Sequence, residues 1–197
     1  MSFIPGMSLY DVWFRHHLHG VNPDVVRERR IRALEGIASS VFQLRKFSSP
    51  LCGIPLFEGG TDISSVRPIR QIDSRVMLDR WCAGKDPSDM PIYAILPVSS
   101  DPQVYYSYIL DLYPKEDIIF RVISALLRQF IRWIPEPSDT TDLFVLAHPD
   151  FDIRNFGVSE DGELQGIIDW DGVAVIPRSL GNEKYPGWLT RDWDLAM

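Results

Sequence analysis

Two short apolar runs, each ending on a carboxylate, constrain this chain more than any other feature. They lie in residues 143–172, LFVLAHPDFDIRNFGVSEDGELQGIIDWDG. The first run leads into His148-Pro-Asp150 and the second into Asp169-Trp170-Asp171. Asn155 and the turn Glu160-Asp161-Gly162 lie between them. Short apolar runs separated by a turn read as strands. Strands that stop on carboxylates at a shared end place those carboxylates together. Asp150, Asn155 and Asp169 then offer oxygen ligands to a divalent cation and a phosphorylated ligand.

Several chemistries fit such a cluster. Asp150, Asp152 and Asp161 can be ordinary turn and cap residues, the usual home of Asp. A calcium loop begins like Asp150-Phe-Asp152, but Arg154 then holds a ligand place and Asn155 the glycine place, so that reading fails. A two-carboxylate metal hydrolase stays open. Phosphoryl transfer needs a carboxylate to take the acceptor's proton and oxygen ligands for Mg²⁺ on the triphosphate. Asp150 suits the first role, Asn155 and Asp169 the second. Gly166-Ile167-Ile168 is expected to be a buried strand that holds Asp169 rigidly.

The totals exclude other classes. The 197 residues fit one domain, or one large lobe of a bigger one. A net charge of −7 argues against a nucleic-acid binder. The basic run Arg27–Arg32 reads as the solvated face of a helix. Cys52 and Cys82 form no CxxC and have no nearby His, so reduced thiols in a cytoplasmic setting are expected. No apolar run is long enough to span a bilayer, and the N-terminus is not a secretory signal, so no membrane partner is expected. His16, His17 and His19 lack ligand spacing and read as a helix end.

Along the chain, Ser8 caps a short helix with the stripe Leu9, Val12, Trp13. Asn22-Pro23 starts a long amphipathic helix to about Lys46. Residues 47–68 are punctuated by Gly and Pro and hold at most a hairpin around Glu58-Gly59-Gly60-Thr61. A short helix is expected over 73–82 and a surface connection over 83–98. Asp101 caps a helix to about Leu112. Residues 115–133 carry so wide an apolar face that burial on more than one side is expected. With the long helix over 23–46, this one is expected to form the core.

The spacing His148-Pro-Asp150-Phe-Asp-Ile-Arg-Asn155, followed by Ile168-Asp169-Trp170-Asp171, resembles the aminoglycoside phosphotransferase and choline-kinase-like family. Its pattern is H-x-D-x-x-x-x-N, then a strand ending I-D-[WF]-[DE]. PRSLGNEKYPGWLTRDWD resembles the fungal branch. More weakly, Ser2 to Leu9 is similar to the hinge that binds adenine, which implies Phe3 and Ile4 as nucleotide contacts. The resemblance implies an α+β, mainly α fold: the helical C-terminal lobe of a protein-kinase-like fold, spanning 1–197, with a small β-hairpin at the catalytic loop. It implies Asp150 as catalytic base, Asn155 and Asp169 as Mg²⁺ ligands, and His148 and Asp171 in support. Asp152, where the family often has His, is left without a role. The implied reaction is ATP- and Mg²⁺-dependent phosphoryl transfer to a small-molecule hydroxyl, a cationic acceptor by analogy. The family's N-terminal nucleotide-binding lobe is expected to be absent. Impaired activity, a partner covering the exposed hinge face, or a non-catalytic domain that keeps the motif are the corresponding expectations.

Overall fold

The structure is a computed structural model that describes residues 5–14, 20, 22–59, 62–84, 90–112, 118–134, 143–181 and 186–191. Phe3 and Ile4, and the histidines at 16, 17 and 19, lie outside the described residues. The chain forms two units. The first gathers residues 1–46, 146–173 and 178–197, and the second gathers 47–145 and 174–177.

In the first unit, β1 (Met7–Ser8) leads directly into α1 (Leu9–Phe14). Ser8 Oγ accepts the Tyr10 amide at 3.3 Å, and Asp11 lies in the first turn, facing the positive helix end. Leu9, Val12 and Trp13 are buried, as their spacing predicts. In α2 (Pro23–Leu44) Asn22 Oδ1 accepts the Asp24 amide at 2.8 Å, with Pro at the helix start. Its buried stripe is narrower than the sequence indicates. Val26, Ala33 and Ile37 are buried, whereas Val25, Ile31 and Phe42 are exposed. The arginines of α2 are not simply solvated. Arg30 donates to the Trp13 carbonyl and lies over the Trp13 ring, and Arg32 donates to Asp161 O at 2.6 Å.

A three-stranded antiparallel sheet, β1–β8–β9, completes this unit, with β8 at Phe156–Val158 and β9 at Leu164–Ile167. Two close approaches fix it. At Gly6 (φ 121°) a Cβ would strike the Val158 carbonyl, and at Gly162 (φ 86°) it would strike the Arg29 backbone of α2. Leu9, Trp13, Ala33, Ile37, Ile153, Phe156, Val158 and Trp188 share one core with Val12. Trp188 meets Trp13 edge-on at 5.2 Å.

In the second unit, β2 (Ser48–Ser49), β7 (Phe144–Ala147) and β10 (Ala174–Pro177) form a sheet in the order β10–β7–β2. The chain passes into the first unit at Leu146, within β7. The hairpin β3 (Ile54–Glu58) and β4 (Asp62–Arg67) turns where the glycine pair predicts. A second antiparallel pair, β5 (Ile69–Ile72) and β6 (Tyr93–Leu96), flanks α3 (Ser74–Ala83). Asp73 and Asp101 cap α3 and α4 (Pro102–Asp111) through their carboxylates. The last α-helix among the described residues is α5 (Ile118–Ile131).

Three expectations are corrected. The fold is not the mainly helical lobe of a protein-kinase-like fold with one small hairpin. It is α+β: of the described residues 44% are helix and 26% strand, and these strands form four small sheets. Strands such as DISSVR and IRQI are short, half-exposed and rich in polar residues, so they carry no apolar alternation. The supposed surface connection over 83–98 contains β6, paired across more than twenty residues with β5. And α5 has no buried residue despite its apolar face. Among the described residues no helix is long and apolar enough to cross a membrane.

Candidate active site

β7 is buried along its whole length, and this anchors His148 at its end. The His148 ring then ties three pieces of chain together. Nε2 lies 2.8 Å from the Ile168 carbonyl, and Nδ1 lies 3.2 Å from the Asp150 amide nitrogen. A carbonyl can only accept and an amide N–H can only donate. The two bonds together therefore select the tautomer with hydrogen on Nε2. The ring also packs edge-on against Trp170, at 4.7 Å between centroids. Trp170 is itself pinned by donating Nε1–H to Ile167 O at 2.8 Å.

Asn155 closes a one-turn 3-10 helix, Ile153–Asn155. It is buried, and its Nδ2 donates both to the Asp150 carbonyl at 2.8 Å and to the Asp150 carboxylate Oδ2 at 3.1 Å. The amide orientation follows: with nitrogen committed to Asp150, Oδ1 is left as an oxygen ligand. The Asn155 carbonyl in turn accepts the Ile168 amide at 2.9 Å. Ile168 thus receives His148 on its carbonyl and gives its amide to Asn155. The residue that follows it is Asp169.

Asp169 sits at φ 64°, the described non-glycine residue with positive φ. The left-handed region costs an L-residue roughly 1 kcal/mol or more, and Asp is among the few that tolerate it. Strain of this kind persists where the surroundings over-determine it, often at functional sites. The buried strand expected to hold Asp169 is not found. Ile168 is 43% exposed, and β9 ends at Ile167. The position is fixed instead by the two backbone bonds of Ile168.

The structure therefore brings His148, Asp150, Asn155 and Ile168 together by hydrogen bonds, with Asp169 attached by one peptide. Asp150, Asp169 and Asp171 are exposed, and Asp171 is bonded to none of the others. Asp152, left without a role by the sequence, caps the 3-10 turn through Oδ1. It accepts the Arg154 amide at 3.1 Å and Arg154 Nε at 2.8 Å. The hydrogen bond to Asp152, and then its charge, hold the Arg154 guanidinium above its ordinary pKa. An Asp side chain that accepts the amide two residues on makes such a turn. The roles of the Ile168 backbone and of Trp170 leave no mark in side-chain chemistry, so sequence reasoning missed them.

Among the described residues no group of three or more His, Cys, Asp and Glu side chains is placed to hold a metal. The donors here are different: the Asn155 amide oxygen and the Asp169 carboxylate, with both His148 nitrogens already bonded. An all-oxygen set fits a hard cation such as Mg²⁺, which takes one or two protein ligands and completes its shell with phosphate and water. A groove of about 480 Å³ lined by Phe42, Gln43, Arg45, Lys46 and Arg178 shares no residue with this site. Comparison with protein families, with curated proteins and with solved structures finds no match for this chain.

Proposed function

We propose that residues 148–171 form the Mg²⁺-ATP site of a phosphotransferase acting on the hydroxyl of a small molecule. The observation that carries this reading is the Asn155 side chain. Its nitrogen holds the Asp150 carboxylate while its oxygen remains for a cation. A base and a metal ligand are thereby set in one rigid unit. Asp150 accepts the proton of the acceptor hydroxyl as that oxygen bonds to the γ-phosphorus and the bond to the departing ADP breaks. His148 keeps the Asp150 amide and the Ile168 carbonyl at fixed separation. Asn155 and Asp169 would hold Mg²⁺, which would supply neutralisation of charge on the phosphate oxygens. The two thiols, neither in a disulfide, support a reducing cytosolic setting.

The exposure of Asp150 and Asp169 favours a second reading. Phosphoryl transfer profits from exclusion of water, and a domain that keeps the motif only to bind nucleotide does not need it. Thermal unfolding with millimolar Mg²⁺-ATP tests the binding both readings require. Saturation at roughly 100 times Kd adds about 2.7 kcal/mol, several degrees in Tm. Asp169→Asn should abolish the shift. No shift for the parent chain overturns both readings, and a shift that survives Asp169→Asn moves the site elsewhere. Transfer of labelled γ-phosphate to an amino-alcohol acceptor, lost in Asp150→Asn, separates catalysis from binding. Metal-dependent cleavage of a simple phosphate ester without ATP would instead identify a hydrolase.

A further inference from the structure

The apolar face of α5 points outward, and its polar side meets the fold. Ser124, Arg128 and Ile131, spaced i, i+4, i+7, are half-buried and lie on one side. That side faces α4. Arg128 pairs with Asp111 at 2.8 Å, and Gln103 Nε2 donates to Ile131 O at 3.1 Å. Ile118, Val122, Ile123, Leu126, Phe130 and Trp133 occupy the opposite side, 45–74% exposed. Phe130 and Trp133 stack edge-on at 5.6 Å, already arranged as a rigid aromatic pair. An amphipathic helix turned this way leaves water on the surface it should bury.

We infer that this face is the interface of a homodimer in which two copies of α5 pack antiparallel across a two-fold axis near Leu126. Area is the first argument. Taking roughly 200 Å² for a large apolar side chain, the six exposed fractions amount to about 700 Å². That matches the ~800 Å² each partner contributes to a stable complex and exceeds the usual largest patch on a monomer. Charge is the second. Residues 118–134 contain Arg121, Arg128 and Arg132 and no acid. At 100° per residue all three fall on the α4 side, away from the centre of the apolar face. Self-pairing therefore brings no like charges together and buries none. A two-fold interface must be complementary to itself, which an uncharged apolar strip satisfies. Antiparallel packing also opposes the two helix dipoles. With α4 beneath each α5, the pair becomes a four-helix layer.

An anionic lipid surface is the competing occupant. It would need the guanidinium groups beside the apolar face, and it would repel a chain of net charge −7. This inference does not depend on the function proposed above.

Sedimentation velocity on the full chain at micromolar concentration should give twice 22.6 kDa. Leu126→Glu with Phe130→Glu should sediment as a monomer with the parent's circular dichroism, because both positions are exposed in the single chain, and with a Tm lowered only by the lost self-association. Should that variant misfold, Leu126→Cys on a Cys82→Ser background supplies an independent readout: mild oxidation links it to its own partner through position 126. A monomeric parent chain, a dimer indifferent to the double substitution, or no cross-link at 126 overturns the proposal. So does a monomer that co-floats with phosphatidylserine vesicles.

Discussion

Both nitrogens of His148 are committed, one to the Ile168 carbonyl and one to the Asp150 amide. His148→Ala breaks both bonds, strands a carbonyl and removes the ring from Trp170. The expected cost is about 2–3 kcal/mol of stability, read from urea unfolding at constant pH. A change under about 0.5 kcal/mol, the scale of a neutral surface substitution, would mean the brace does not act as described. The sequence marks His148, Asp150, Asn155 and Asp169 by their spacing along two apolar runs, although Asp and Asn taken singly are ordinary turn residues. It does not mark how they are held. The left-handed backbone of Asp169 and the double role of Ile168 are properties of main-chain geometry. No side-chain pattern announces them.

At the level of elements, the β8–β9 hairpin leans on α2 through a contact only glycine allows. Gly162→Ala adds a Cβ that would collide with the Arg29 backbone at a residue already in the left-handed region. Destabilisation of about 2 kcal/mol or more is expected, and the Arg32 bond to Asp161 O should weaken with it. Urea midpoints for Gly162→Ala and for Arg32→Ala measure the two parts separately. If Gly162→Ala matches the parent chain, the hairpin does not seat on α2 this closely. The caps Ser8 and Asp101 and the helix start at Asn22 were legible, because each bonds an amide two residues on and that chemistry is local; Asp73, expected inside its helix, and Asp152, left without a role, are caps as well. The β5–β6 pairing was not, because a strand as polar as IRQI is made by its partner rather than by its own pattern. The apolar face of α5 was legible too. Periodicity says that a helix has such a face, but the object it meets is decided by tertiary packing.

Over the whole molecule, pH acts on two weak acids of the second unit, the buried Cys52 thiol and the half-buried Tyr105 phenol. Burial pushes the Cys52 thiol from 9.0 up to about 12. Burial, and then the charges of Cys52 and Tyr108, push Tyr105 from 10.0 to about 12. Both pKa values are raised in the folded state, so the folded chain keeps protons that the unfolded chain loses. The contribution is therefore complete below about pH 9 and is lost as pH climbs toward 12. Tm should fall across that window, and less steeply in Cys52→Ala. A Tm that stays level from pH 8.5 to 11.5 would contradict this burial.

The first unit is assembled from stretches that the ribosome makes far apart. Its core needs Ile153, Phe156 and Val158 against Leu9, Trp13 and Ile37, yet the whole of 47–145 is made in between. At about 5–20 residues per second, the N-terminal helices wait roughly 5–20 s with their apolar stripes uncovered. That interval is ample for a nascent-chain chaperone to bind them. The second unit, continuous but for one strand, can begin to organise before its neighbour has all its parts.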